Sequence, residues 1–390
     1  MAIFNSLGSN YKAKHLIHMF TGFDPRQRDA FVEYLKDRYD ANVQLTYKGR
    51  EALYLALKNS KLKEGDHVAV NGYTCYAVYD AVEAAGMVPV YLDVEENSLN
   101  FGLAQLKQAH KKDKKLRAVI VQNTLGFPAD IAGIEKFAHK NKMHLIEDLA
   151  HSIGMRYHDG REAGTVADAA LSFSQDKAVD AVSGGAYVYR GKVQEFITKH
   201  LGYGKFLKDY YYIWNTQFIR SGYVWGGGKF YNFILRKLRW LPKPMDGAAK
   251  NVRRPDTWHA TLAFKQFKDL GKTIAHRREI AKIYDEALPK RIKYAFDDNA
   301  SYLRYPLRVS DPASLIKHLK SKGIYISDTW YEAPVSPARS MSKTNYESGR
   351  CPLSEQVASR MINLPTHVNV DAADAEKITE RINQWLSTQE

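Results

Sequence analysis

The chain has 390 residues, 45% hydrophobic and 26% charged, the composition of an ordinary globular protein long enough for one large and one smaller domain, each with its own core. Two cysteines, Cys75 and Cys351, exclude a disulfide scaffold and fit a reducing compartment; with no apolar core of signal-peptide length at the N-terminus and no bilayer-spanning apolar run, a cytoplasmic protein is expected. The formal net charge of +14 is uneven, since residues 201–250 hold nine Lys or Arg against Asp209 and Asp246, which raises nucleic acid or an anionic membrane surface as partners.

In chain order, the spacing of Phe31, Val32, Leu35 and Tyr39 predicts a helix over 25–39. Gly49 then precedes a strong helix-forming run, and a glycine turn opening a helix offers backbone N–H groups and the positive dipole end to an anion. His67–Val70 reads as a buried strand, residues 71–86 as a turn into a helix ending at Gly86, and Val88–Val94 as the next strand. The basic run 107–117 reads as a solvated turn after a short helical pattern. Arg117–Gln122 is a further strand, and a helix through Ile134, Phe137 and Ala138 returns to a strand that ends at Asp148. Ala169–Phe173 leads to Lys177, and Gly184-Gly185 opens the run Ala186–Tyr189. Alternating strands and helices argue for an α/β fold with a mostly parallel central sheet.

Residues 200–250 are dense in Tyr, Trp and Phe interleaved with cations. On a helical projection of 229–241, Lys229, Asn232, Arg236 and Arg239 fall on one side and Tyr231, Ile234, Leu235, Leu238 and Leu241 on the other. A peripheral membrane contact through 203–243 has this pattern; so does a packed helix covering the site or a dimer contact with its basic face solvated. No helix-turn-helix, zinc-finger or RNP pattern supports nucleic acid, and no metal is expected. Leu262, Phe267, Leu270, Ile274, Ile280, Ile283 and Tyr284 mark one long helix, followed by strands at Tyr302–Val309 and Ile324–Ser327 around a helix from Ala313 to Lys322, and a last helix at ITERINQWL. The expected divisions are an N-terminal arm and helix (1–45), a large domain (46–250) with the basic aromatic insertion, and a bridging helix with a small α+β C-terminal domain (251–390).

Asp148 at one strand end and Lys177 just after another form the pair that a pyridoxal phosphate (PLP) enzyme needs. A lysine holds the aldehyde, and a carboxylate keeps the pyridine nitrogen protonated so that the ring accepts electrons.

Glu147-Asp148-Leu149-Ala150-His151 and Ser172-Phe173-Ser174-Gln175-Asp176-Lys177, followed by Gly184-Gly185, resemble the motifs of the DegT/DnrJ/StrS-type sugar aminotransferases, a branch of the fold-type-I PLP-dependent enzymes. The resemblance implies Lys177 as the cofactor-bearing amine and proton shuttle, Asp148 as the pyridinium partner, His151 near the ring and Ser172 on the phosphate. It implies further phosphate contacts from the backbone of Gly49, Arg50 and Glu51, and a ring-stacking residue where this chain has Cys75, beside Tyr73 and Tyr76. The stretch from Asn251 is similar to a family motif whose Asn reaches the partner subunit's phosphate, making Asn251 and Arg253 candidates in a homodimer with shared active sites. The implied reaction moves an amino group from an amino acid, glutamate in the family, to a nucleotide-linked keto sugar in amino-sugar or cell-surface polysaccharide synthesis. The alternatives are a membrane- or lipid-linked sugar substrate, a PLP-dependent sugar dehydratase and a non-catalytic PLP-binding regulator.

Overall fold

The computed structural model describes residues 2–191, 198–326 and 331–389. Seven strands, β1 (Asn42–Thr46), β2 (His67–Asn71), β3 (Val88–Leu92), β4 (Leu116–Gln122), β5 (His144–Asp148), β6 (Asp168–Ser172) and β7 (Gly185–Tyr189), form one sheet in the order β1-β7-β6-β5-β4-β2-β3. β7 runs antiparallel to both neighbours, and the other pairings are parallel. The near-continuous burial of the central strands follows from cover on both faces, the usual condition of a parallel sheet.

Helices α1 (Pro25–Tyr39), α2 (Gly49–Asn59), α3 (Tyr76–Ala84), α4 (Leu103–Lys112) and α5 (Ile131–Lys140) provide that cover. On one face Leu53, Leu57 and Val78 pack with Val68, Val70, Ile120 and Ile146. On the other, Phe31, Leu35, Leu106 and Ile134 pack with Val119, Val121, Leu171 and Val188. Asp24 starts α1 by accepting the Arg26 N–H at 3.1 Å ahead of Pro25, and Asp40, at φ +46°, ends it.

The insertion folds as three helices, α6 (Tyr203–Tyr210), α7 (Tyr212–Ser221) and α8 (Gly227–Lys237). The single long helix expected from 262 to 284 is instead two, α9 (Thr257–Lys268) and α10 (Leu270–Ala287), separated at Asp269 (φ −95°, ψ 2°). The apolar spacing runs through the break because Phe267, Leu270 and Ile274 pack on the same cluster. Beyond it, β8 (Tyr305–Arg308) pairs antiparallel with β9 (Met361–Leu364). Ile280, Tyr284, Leu307 and Ile362 join Leu319 of α11 (Pro312–Ser321) and Ile378 and Trp385 of the last helix in a second core. β8 is shorter than the expected strand because Tyr302 takes φ +46°. Ile324–Tyr325 pairs in parallel with Ile3–Phe4 of the arm, while Ser327 lies outside the described residues. Lys107–Lys112, expected in a turn, complete α4.

Phe31 ties α1 to the site: its ring lies 5.8 Å from Phe173, just past the end of β6, and 5.6 and 5.4 Å from Phe264 and Phe267 of α9. Phe31→Ala is expected to lower the unfolding free energy by about 3–5 kcal/mol in chemical denaturation, through lost transfer energy and the cavity left behind.

Candidate active site

β4, β5 and β6 end at Gln122, Asp148 and Ser172, and all three residues line a cavity of about 860 Å³ at the C-terminal edge of the sheet, where open α/β folds place their sites. Lys177 lines the same cavity from the turn after β6. Two non-glycine residues of this turn, Asp176 and Val182, each have φ +64°, a conformation costing about 1–3 kcal/mol apiece. Asp180, fully buried, holds it: its carboxylate accepts the N–H of Asp176 and of Val182, each at 2.9 Å, and the Tyr11 hydroxyl. Asn10 donates to the Lys177 carbonyl at 2.7 Å and Ser9 to the Asp176 carboxylate at 2.8 Å.

Burial pushes the Lys177 amine below the ordinary lysine value, while nearby acidic groups, Cys75 first and Asp148 next, oppose the shift. Burial also raises the Asp148 carboxyl, although the Ala150 N–H, 2.9 Å from Oδ1, and the charge of Lys177 pull it down. His151 is held neutral by burial and by the positive charge of Lys177 and Arg304. Its Nδ1 accepts the Leu125 N–H at 3.1 Å, so in the neutral ring the proton sits on Nε2, 3.4 Å from the Tyr331 hydroxyl.

The anion-binding end is built by close approach. A Cβ on Gly49 would stand 2.5 Å from Ser172 Cβ, and one on Gly185 would meet the Leu171 carbonyl at 2.7 Å and the Gly49 nitrogen at 2.9 Å. Glycine at both positions lets the first turn of α2 sit against Ser172, so that Ser172 Oγ and helix N–H groups converge on the cavity. Lys48 adds a cation here: it lines the cavity, donates to Ser183 Oγ at 2.9 Å, and is lowered by burial to about 8.

Of the residues expected from sequence, Lys177, Asp148, His151, Ser172, Gly49, Arg50 and Cys75 line the cavity. Glu51 does not: its N–H closes onto the Lys48 carbonyl, and its carboxylate accepts the Tyr47 and Arg253 N–H groups. Tyr76 also lies outside the lining, its ring 5.7 Å from Tyr79, and Tyr73 is buried with its hydroxyl on the Tyr331 carbonyl. Among the described residues the aromatic side chains that do line the cavity are Tyr212 and Tyr331, the latter edge-on to His151 at 5.3 Å. Asn251 is half-buried outside the lining of its own cavity.

Sequence reasoning missed the strap 241–246 that follows α8. Arg50 binds the carbonyls of Gly247 at 3.0 Å and Pro244 at 3.3 Å, Gln175 donates to the Pro242 carbonyl at 3.0 Å, and Leu241 through Asp246 all line the cavity. The Arg50 guanidinium therefore fastens the strap. Gln175, inside the lysine motif, was the available signal for this contact.

These residues fit PLP: an amine of lowered pKa, a buried carboxylate and a glycine-lined anion cradle share one cavity. Lys177→Ala is expected to abolish the visible absorbance of the lysine-bound cofactor and to lower kcat by more than about a thousandfold. Gly185→Ala, which must displace the Gly49 turn, is expected to weaken cofactor affinity about tenfold in a fluorescence titration, equivalent to ~1.4 kcal/mol.

The DegT/DnrJ/EryC1/StrS aminotransferase family matches residues 26–383. The GDP-perosamine synthase of Vibrio cholerae is 25% identical over 369 residues, covering 92% of this chain and 89% of its own. Among solved structures, a DegT/DnrJ/EryC1/StrS aminotransferase from Brucella abortus superposes with a TM-score of 0.73 at 22% identity, covering 96% of each chain. An aminotransferase of pseudoaminic acid biosynthesis from Helicobacter pylori gives 0.74 at 15% identity over the whole of both. With the lysine, carboxylate and anion cradle in place, the chain belongs to the DegT/DnrJ/EryC1/StrS family and is a PLP-dependent aminotransferase.

Proposed function

We propose that the protein transfers an amino group from L-glutamate to a keto sugar carried on a nucleoside diphosphate, supplying an amino sugar for cell-surface polysaccharide in the cytoplasm. The observation that carries this reading is the cation excess of the cavity wall. Beyond Lys177 and the cradle at Gly49, Arg236, Arg239, Lys243 and Arg339 line it, against Asp148, Asp176 and Asp246. That is more positive charge than one cofactor phosphate requires, and it suits a diphosphate and the two carboxylates of the donor. A relative that makes a GDP-linked amino sugar supports the same substrate class.

Bound PLP supplies the electron-accepting ring and carries the amino group between the substrates. Lys177 would hold it through Nζ, and the depressed pKa of the free amine would let it take the donor's α-proton and return a proton to the sugar carbon. Asp148 would hold the proton on the pyridine nitrogen, while His151, Tyr331 and the strap wall the cavity. The reading includes a homodimer in which Asn251 reaches the phosphate end of the partner's site; its place outside its own cavity is what such a contact requires.

Adding L-glutamate alone to the purified holoenzyme is expected to remove the visible band of the lysine-bound cofactor and to raise a shorter-wavelength band. Retention of the visible band with glutamate, and its loss with a different amino acid, would contradict the donor assignment.

A further inference from the structure

Among the described residues, the large apolar side chains left exposed are concentrated on one part of the surface: apart from Val88, all fall in 17–23 or 203–238. α7 and α8 form a helical hairpin, joined where Phe218 meets Tyr231 at 4.9 Å and the Tyr231 hydroxyl donates to Asn215 at 2.8 Å. Tyr231, Ile234 and Leu235 turn inward as the helical projection required. Leu238, placed with them by sequence, is 67% exposed, because the helix ends at Lys237 and the chain turns away. The outer face carries Trp214 and Phe218 of α7 and Phe230 and Phe233 of α8. At the tip, the glycine-rich turn 222–228 presents Val224 and a Trp225 that is 89% exposed.

Cations share this face. Lys229, Arg236, Lys237 and Arg239 are exposed between the rings, and Lys229 Nζ lies 5.2 Å from the centre of the Tyr223 ring. Of the two acids in 201–250, Asp209 is buried against Tyr47 and His259 and Asp246 belongs to the strap, and among the described residues no ion pair joins a carboxylate to Lys229, Arg236, Lys237 or Arg239.

We infer that the α7–α8 hairpin is a peripheral docking surface for an anionic lipid bilayer, with Trp225 and Phe233 entering the headgroup boundary and Lys229 and Lys237 on lipid phosphates. A second copy on the same face would set these cations against one another, with neither Asp209 nor Asp246 on that face to pair them. Stacking on nucleic-acid bases would leave the aliphatic Val224 and Leu238 unused, whereas lipid takes them. No described helix is long and apolar enough to cross a membrane, so the contact is superficial. Arg236 and Arg239 also line the cavity, so docking brings the cavity mouth to the lipid surface. The inference goes beyond the aminotransferase reading and does not depend on it.

The test is flotation of the holoenzyme with phosphatidylcholine vesicles, with and without about a third phosphatidylglycerol. Binding to the anionic vesicles at least about tenfold tighter than to neutral ones, falling with added salt, is expected. The double variant W225S/F233S, altered only at exposed positions outside the cavity, should lose about tenfold of that affinity with an unchanged cofactor spectrum. Absent or equal recovery with the two vesicle types overturns the inference. So does a W225S/F233S protein that floats like the wild type but sediments as a smaller species, which would make the face a contact between copies. The cofactor spectrum keeps failure of this surface distinct from failure of the enzyme assignment.

Discussion

The buried carboxylate of Asp180 is the interaction on which the rest of the site depends. Placing Lys177 over the cavity requires Asp176 and Val182 in left-handed backbone conformations that neither residue favours. The Asp180 side chain offsets that strain by taking both their N–H groups and the Tyr11 hydroxyl. Its backbone is fixed as well, since Gln266 accepts the Asp180 N–H at 2.8 Å and donates to its carbonyl. The carboxyl is raised to about 7 by burial and by the neighbouring Asp176. Its hydrogen bonds therefore act in a site with little water, where each counts for more than at the surface.

From Asp180 the connections extend across the molecule. Asn10 donates to the Lys177 carbonyl, and its own oxygen accepts from buried Arg277 of α10 at 2.9 Å. Arg277 also donates to the Leu303 carbonyl and the Thr366 hydroxyl, flanking β8 and β9. The N-terminal arm thus works as a wedge between the lysine turn and the second core. The strap is fixed from the opposite side by Arg50 and Gln175, so one cavity is closed by the sheet edge, the arm and the insertion together. This arrangement explains how a turn with unfavourable backbone angles is held rigid enough to aim an amine.

The sheet and the meeting of Asp148 with Lys177 at its edge were legible in the sequence because both rest on local patterns. Apolar runs reaching Asp148 and Phe173 mark strand ends, Gly49 marks a turn opening a helix, and Gly184-Gly185 mark the start of the next strand. The strap, the contacts of the arm and the place of Tyr331 were not legible. Each acts through contacts between residues far apart in the chain, such as Asn10 with Lys177 or Gln175 with Pro242, made by irregular backbone that carries no periodicity. Glu51 was misread for a related reason: a helix N-terminus locates an anion site, but it does not tell which N–H groups the preceding turn has already used. The outer face of α8 carries Lys229 and Arg236, with Arg239 just beyond its end, as the projection placed them, and Phe230 and Phe233, which the projection left unassigned, are exposed among them.

We propose Lys177, held by Asp180, as the amine that carries the cofactor. Borohydride reduction of the holoenzyme followed by peptide mass mapping tests it most directly, because reduction fixes the cofactor to whichever lysine holds it. The account predicts a phosphopyridoxyl group on the peptide containing Lys177 and none on the peptide containing Lys48, the other lysine of lowered pKa at the cavity. A label on Lys48, or on neither, would contradict it.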